Sequence, residues 1–177
     1  MEKLIHWLQQ VNEQIGRVVA WLTLCMVLVT FLVVLLRYLF DLGWIAMQES
    51  IVYMHAVVFM LGAAYTLKHQ GHVRVDIFYQ KMSPRGRAWV DLFGTLFLLI
   101  PVCVFIAWTS WGYVADSWDV LEGSREAGGL PGVFILKSLI VLMPMLLLLQ
   151  GIALALQQIL VLQGRLVVEE QHEEELL

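Results

Sequence analysis

Apolar residues run along this chain in four long blocks separated by short polar connections. The first, Val18 to Leu36, is interrupted only by Thr23 and Thr30, and it is long enough for the ~20 residues that cross a ~30 Å hydrocarbon layer. It continues into Arg37-Tyr38-Leu39-Phe40 with no small-residue cleavage pattern, so it reads as a retained spanning helix over 18–40 rather than a cleaved signal peptide. The second block, Ile51 to Leu67, is entered through Gln48-Glu49-Ser50 and closes at Lys68. Ser50 is the expected N-cap of a span over 50–67, with the Glu49 carboxylate near the positive end of the helix dipole. Ser83-Pro84 opens the third span, predicted over 84–112, as an N-cap followed by proline at the first helical position. The fourth, over 132–161, follows the turn Gly128-Gly129-Leu130-Pro131-Gly132.

Ahead of the first span, Leu4, Trp7, Leu8, Val11 and Ile15 recur at helical spacing. Lys3, His6, Gln9, Gln10, Asn12 and Glu13 fill the other face. That pattern predicts an interfacial amphipathic helix over 1–16, lying flat at the headgroups. Val75, Phe78 and Met82 share one face of a shorter interfacial segment, 73–82, between spans two and three. The fold class is therefore all-α integral membrane: one domain over 1–177 with four transmembrane helices, these interfacial pieces and an acidic tail over 165–177.

Composition agrees with that reading. Hydrophobic residues make up 60%, charged residues 15%, and the mean hydropathy is +0.77, far from the range of soluble domains. The net charge of −4 implies no cationic ligand, because much of the acid lies in the tail from Glu169 to Glu175. Cys25 and Cys103 each sit inside an apolar block and are expected to be buried as small hydrophobes rather than paired.

Basic residues orient the chain. Lys3 and Arg17 precede span one, Lys68, Arg74, Lys81, Arg85 and Arg87 crowd the second connection, and the third holds Arg125 among several acids. The positive-inside rule puts both termini and the second connection in the cytoplasm, with Lys68, Arg74, Lys81, Arg85 and Arg87 as topology anchors that also meet anionic phospholipids. A connection of this length tethered at both ends to spans is no nucleic-acid interface.

Intramembrane ionisable groups are functional candidates by default, and they are few: His55, Asp91 and Lys137, with Gln150 the main uncharged polar group at depth. No Asp or Glu falls in the middle of a block, as an ion-coupled carrier working alone would need. A bis-His haem needs two facing histidines, and His69 and His72 lack a third ligand for a metal site. No catalytic, cofactor or metal site is expected. Lys137 is placed to snorkel outward, or to pair with Glu126 or an acid of another chain, and Asp91 stands beside Arg87 on one helix. Pro101 and Pro144 are expected as ordinary membrane-helix prolines. Trp108, Trp111, Tyr113 and Trp118 form an outer aromatic belt, and Gly62 and Gly94 permit close helix approach within the bundle or against another subunit.

Several segments carry a family resemblance: H-V-R-V-D-I-F-Y, then S-P-R-G-R-A-W-V-D-L, a Trp-rich exit, E-x-S-x-E-A-G-G-L-P-G, and Lys137 followed by P-x-x-x-x-L-Q. Together, over roughly 10–160 and most strongly over 71–151, they resemble the small, DctQ-like membrane subunit of TRAP (tripartite ATP-independent periplasmic) transporters. The resemblance implies a non-catalytic subunit in the bacterial inner membrane. Its partners would be a large elevator-type (M-type) subunit holding the substrate and sodium sites, and a periplasmic solute-binding protein. Gly62, Gly94, Trp108, Trp111, Glu126, Gly129, Pro131 and Lys137 are then candidate partner-interface residues, and the loops Asp41–Gln48 and Asp116–Leu130 candidate docking surfaces. A haem-bearing anchor and an autonomous homo-oligomeric exporter are the alternatives.

Overall fold

Helix α1 runs unbroken from Glu2 to Phe40 in a computed structural model that describes residues 2–72, 76–79 and 81–165. No proline interrupts those 39 residues, so the amphipathic stretch and the first span form one rod about 58 Å long at 1.5 Å per residue. Helix α2 follows over Ile45–Lys68, and α3 is a single turn, Asp76–Tyr79. The third span is α4 (Pro84–Gly94), a π-helical segment (Thr95–Leu99) and α5 (Ile100–Asp119) in continuous succession. Helix α6, Val133–Leu162, completes four helices long and apolar enough to cross a membrane. Among the described residues there is no strand.

Local chemistry sets the ends. Ser83 caps α4, its Oγ accepting from Gly86 N at 3.3 Å, and Pro84 occupies the first turn, where its missing N–H costs nothing. Ser50 does not cap α2. The helix starts five residues earlier behind Trp44, and the Ser50 hydroxyl donates to the Met47 carbonyl instead (2.7 Å). Three helices close with the paired 6→1 and 5→2 bonds of a Schellman motif. Gly71 N reaches Thr66 O behind α2, Glu122 N reaches Ser117 O behind α5, and Arg165 N reaches Leu160 O behind α6. The left-handed residues at these turns are Gln70, Leu121 and Gly164. Leu121, at φ 45°, pays a steric cost that glycine would avoid.

The π-helical segment lies directly ahead of Pro101. Proline has no N–H to give the carbonyl four residues back, and the widened turn is a common response at such points. Ile100 N bonds Thr95 O. The segment also has a packing partner. A Cβ at Gly151 of α6 would come within 3.0 Å of the Leu99 side chain, so glycine lets the wide turn approach. Pro144 lies buried inside α6, which continues through it.

Helix α6 is the hub, touching α1, α2, α4, the π-helical segment and α5. It carries ten buried residues, small ones such as Gly151, Ala153 and Ala155 among them. Between lipid-solvated helices there is little hydrophobic gain from association, so close packing and interhelical hydrogen bonds hold the bundle. The second tight contact is Gly16 of α1, where a Cβ would overlap the Tyr65 ring of α2.

Which face of α1 turns inward differs from the amphipathic reading. Ile5, Leu8, Asn12 and Val19 are buried, while Leu4 and Trp7 are exposed. Asn12, assigned by pattern to the polar face, points into the bundle because Gln150 of α6 offers it an amide partner: Asn12 Nδ2 donates to Gln150 Oε1 at 3.0 Å. Cys25 is likewise exposed on α1, against the expectation of burial, and Cys103 is buried. Beyond Val19 no residue of α1 is buried, and burial requires neighbours on several sides.

Candidate functional site

Polar side chains gather at both ends of the bundle and at one level inside it. At the end away from the termini, the connection from Val120 to Gly132 is folded on itself. Ser124 N donates to Leu130 O (2.9 Å), Gly129 N to Glu126 O (3.0 Å), and Phe134 N to Glu122 O (3.2 Å). Two carboxylates tether it. Glu49, from the second turn of α2, accepts from Leu130 N at 2.6 Å and from the Ser124 hydroxyl. Glu122 accepts from the Ser117 hydroxyl (2.7 Å) and forms an ion pair with Lys137 of α6. The Lys137 ammonium also stands 4.0 Å from the centroid of the Tyr113 ring, a cation–π contact. Trp118 Nε1 donates to Ser138 Oγ at 2.8 Å and packs edge-on against Phe134.

These contacts settle where the predicted residues go. Lys137 pairs with Glu122, not Glu126: Glu122 directly follows the Schellman turn at Leu121, which points it back at α6, whereas Glu126 stands exposed and gives backbone groups to the loop. The Lys137 ammonium and then the Ser117 hydroxyl hold the Glu122 carboxyl below the usual carboxylate range. Gly129 sits inside the loop, where a Cβ would come within 2.8 Å of Glu49 Oε1. Pro131 is exposed, as are Trp108 and Trp111 on α5, at 82% and 63%. A Cβ at Gly62 or Gly94 would meet nothing within 4 Å, so neither supports a close approach within the bundle. That role falls to Gly16 and Gly151, which no sequence pattern marked.

At the termini end, Glu13 of α1 joins two helices, accepting from Lys68 Nζ (2.6 Å) and bonding His69 Nε2 (2.8 Å), with Arg17 Nε at 2.8 Å on its own helix. Arg87 Nε donates to Met82 O (3.2 Å), and its guanidinium lies 5.7 Å from the Tyr79 ring centroid. The Tyr79 hydroxyl donates to Asp91 Oδ2 at 2.7 Å. Lys81 and Arg85 are exposed. Arg74, Val75 and the tail from 166 onward lie outside the described residues. Inside the bundle, Gln9 Nε2 donates to Gln157 Oε1 (3.2 Å) alongside the Asn12–Gln150 pair.

His55 is about three turns into α2, deeper than expected because the helix starts at Ile45; it is exposed and stacks on Phe59 at 6.4 Å. Among the described residues, no three His, Cys, Asp or Glu side chains gather as a metal site would require. Sequence reasoning missed Glu49 and Glu122 as tethers. The signal was in the string, an acid at the start of span two, another ahead of a glycine-rich loop and a lysine one turn into the next span, but pairing across 75 and 15 positions is decided by the fold.

Fold and polar clusters together define a four-span, all-helical membrane protein whose end loop is tied to its spans. The family model described as "Tripartite ATP-independent periplasmic transporters, DctQ component" matches residues 26–161, from the middle of α1 to the end of α6. The chain belongs to this family and is a small membrane subunit of a TRAP transporter. Searches of curated proteins and of solved structures returned no match.

Proposed function

We propose that this chain is the non-catalytic frame of a sodium-coupled TRAP transporter in the bacterial inner membrane. It holds the static part of the large elevator-type subunit, and its folded end loop helps dock a periplasmic solute-binding protein for uptake of a small organic acid. Both termini face the cytoplasm. The observation that carries this reading is the destination of the polar side chains in and beside the spans. Asn12 and Gln150 bond each other, Lys137 bonds Glu122, Glu49 holds Ser124 and Leu130, and Glu13 holds Lys68. A transport site needs such groups to converge on a cavity instead. An elevator needs a fixed wall to slide against, and broad apolar faces on α1 and α5 with open glycines at 62 and 94 suit a wall that another helical subunit covers.

Co-expression with the adjacent large-subunit gene tests it. The two chains should leave a sizing column together in mild detergent, and the large subunit without this chain should lose most of its solute uptake in vesicles. A monodisperse lone chain and undiminished uptake would overturn the proposal.

A further inference from the structure

Between Ala46 and Lys68 of α2, only Val52, His55 and Phe59 are exposed. Their spacing of i, i+3 and i+7 puts them on one stripe of a helix with ~3.6 residues per turn. Gly62 extends the stripe at i+10, where a Cβ would meet nothing within 4 Å. The other sides of α2 rest on α1 and α6, so the stripe faces out of the bundle. His55 lies in the middle of the span, roughly 15 Å along the axis from Ile45 and roughly 20 Å from Lys68.

That depth decides what the ring meets. Hydrocarbon offers no hydrogen bond, and a side chain as short as histidine cannot reach the headgroups from there. Outward-facing hydroxyls on the other spans return to their own helices instead. Thr23 donates to Ala20 O (2.6 Å), Thr30 to Met26 O (2.7 Å) and Thr109 to Phe105 O (2.8 Å). Among the described residues the His55 ring nitrogens have no hydrogen-bond partner, and the ring only stacks on Phe59, centroids 6.4 Å apart. Whatever its charge, an imidazole carries at least one N–H donor. Ionisable groups at such depth face protein or water, not lipid, so an acceptor must come from outside this chain.

We propose that the stripe docks one transmembrane helix of the large subunit, whose hydroxyl, carboxamide or carboxylate oxygen accepts from His55 at mid-span; the choice of partner rests on the frame role proposed for this chain. Polar complementarity selects the occupant, because acyl chains bring no acceptor to this depth. Phe59, 70% exposed, is the knob of the contact. Gly62, about one turn further on, leaves a hollow in which a second backbone can come close. Apolar contact alone gives two helices in lipid little reason to associate, so the His55 hydrogen bond fixes both the face and the depth at which they meet.

The test uses the full chain co-expressed with the large subunit and purified as a complex in mild detergent. With Phe59→benzoylphenylalanine, illumination should cross-link α2 to the large subunit. His55→Leu should weaken association about tenfold on dilution, the scale of one interhelical hydrogen bond. His55→Gln, which keeps an N–H donor, should restore most of that loss. The isolated chain should melt alike in all three forms, since His55 bonds nothing within it. Wild-type association by His55→Leu, or a cross-link only to lipid or to a second copy, would overturn the docking of this stripe and leave the frame role standing. Equal losses in both His55 variants would refute the hydrogen bond. A wild-type complex that never forms would overturn the frame role, and this contact with it.

Discussion

Glu122 stands one position past Leu121, which is held at φ 45°, and that turn aims its carboxylate at α6. With the Lys137 ammonium and the Ser117 hydroxyl beside it, its folded carboxyl lies below the ordinary range, whereas an unfolded glutamate titrates near 4.3. The unfolded state therefore takes up the proton first on acidification. The stabilisation is fully present above about pH 4.3 and is lost as pH falls through the lower, folded value. The melting temperature in detergent should drop as the pH falls below about 4.3, in line with that linkage, and Glu122→Gln should flatten the drop while Glu126→Gln follows the wild type. Parallel curves for all three proteins would show that the pair contributes nothing. In uptake assays of the complex, Lys137→Gln should slow transport without abolishing it, because the loop loses one of two tethers. Lys137 was legible as a charge near a span end. Its partner was not, since two acids lay within reach in sequence and only the backbone turn at Leu121 chooses between them.

Helices show the same division between what a string of residues dictates and what neighbours decide. The four spans followed from apolar length, and the start of α4 from Ser83-Pro84, because both are local properties. The inward face of α1 did not, since its polar Asn12 is drawn inside by Gln150, 138 positions away. Replacing Gln150 with Leu leaves Asn12 unpaired in the core and should cost about 1–3 kcal/mol, the price of an unsatisfied buried amide. Asn12 Oδ1 is already buried without a partner, so the double variant Asn12→Leu/Gln150→Leu should melt closer to the wild type than the two single losses predict. Additive losses in a double-mutant cycle would refute the coupling. Glycines divide in the same way. Gly16→Ala drives a methyl into the Tyr65 ring and should destabilise by about 1–3 kcal/mol, as overpacking does. Gly62→Ala and Gly94→Ala meet open space and should leave the isolated chain's melting point unchanged. A loss of co-purifying large subunit in those two variants alone would mark the shared face.

For the molecule as a whole, the proposed orientation rests on the basic connection between α2 and α4. Alanine replacement of Arg74, Arg85 and Arg87 together should scramble insertion, read as a mixed signal from a reporter fused in that connection. A reporter that still reads a single side would mean that other charges dominate. The sequence told membrane from water and counted the spans, because lipid solvates every outward face and leaves the apolar lengths undisguised. How the spans lean on one another was hidden. The contacts that decide it involve glycines, amides and carboxylates, which composition treats as background.

A ribosome delivers α6 last, yet α6 is the helix on which α1, α2, α4 and α5 all rest. Until it enters the bilayer, Asn12 has no Gln150, Glu122 has no Lys137, and the end loop has no second post to hang from. Assembly of this subunit is thus a closing event rather than a stepwise accretion. The first three spans wait for the fourth as a keystone, and a ribosome that stops before codon 133 leaves about three-quarters of the 177 residues made and little of the architecture.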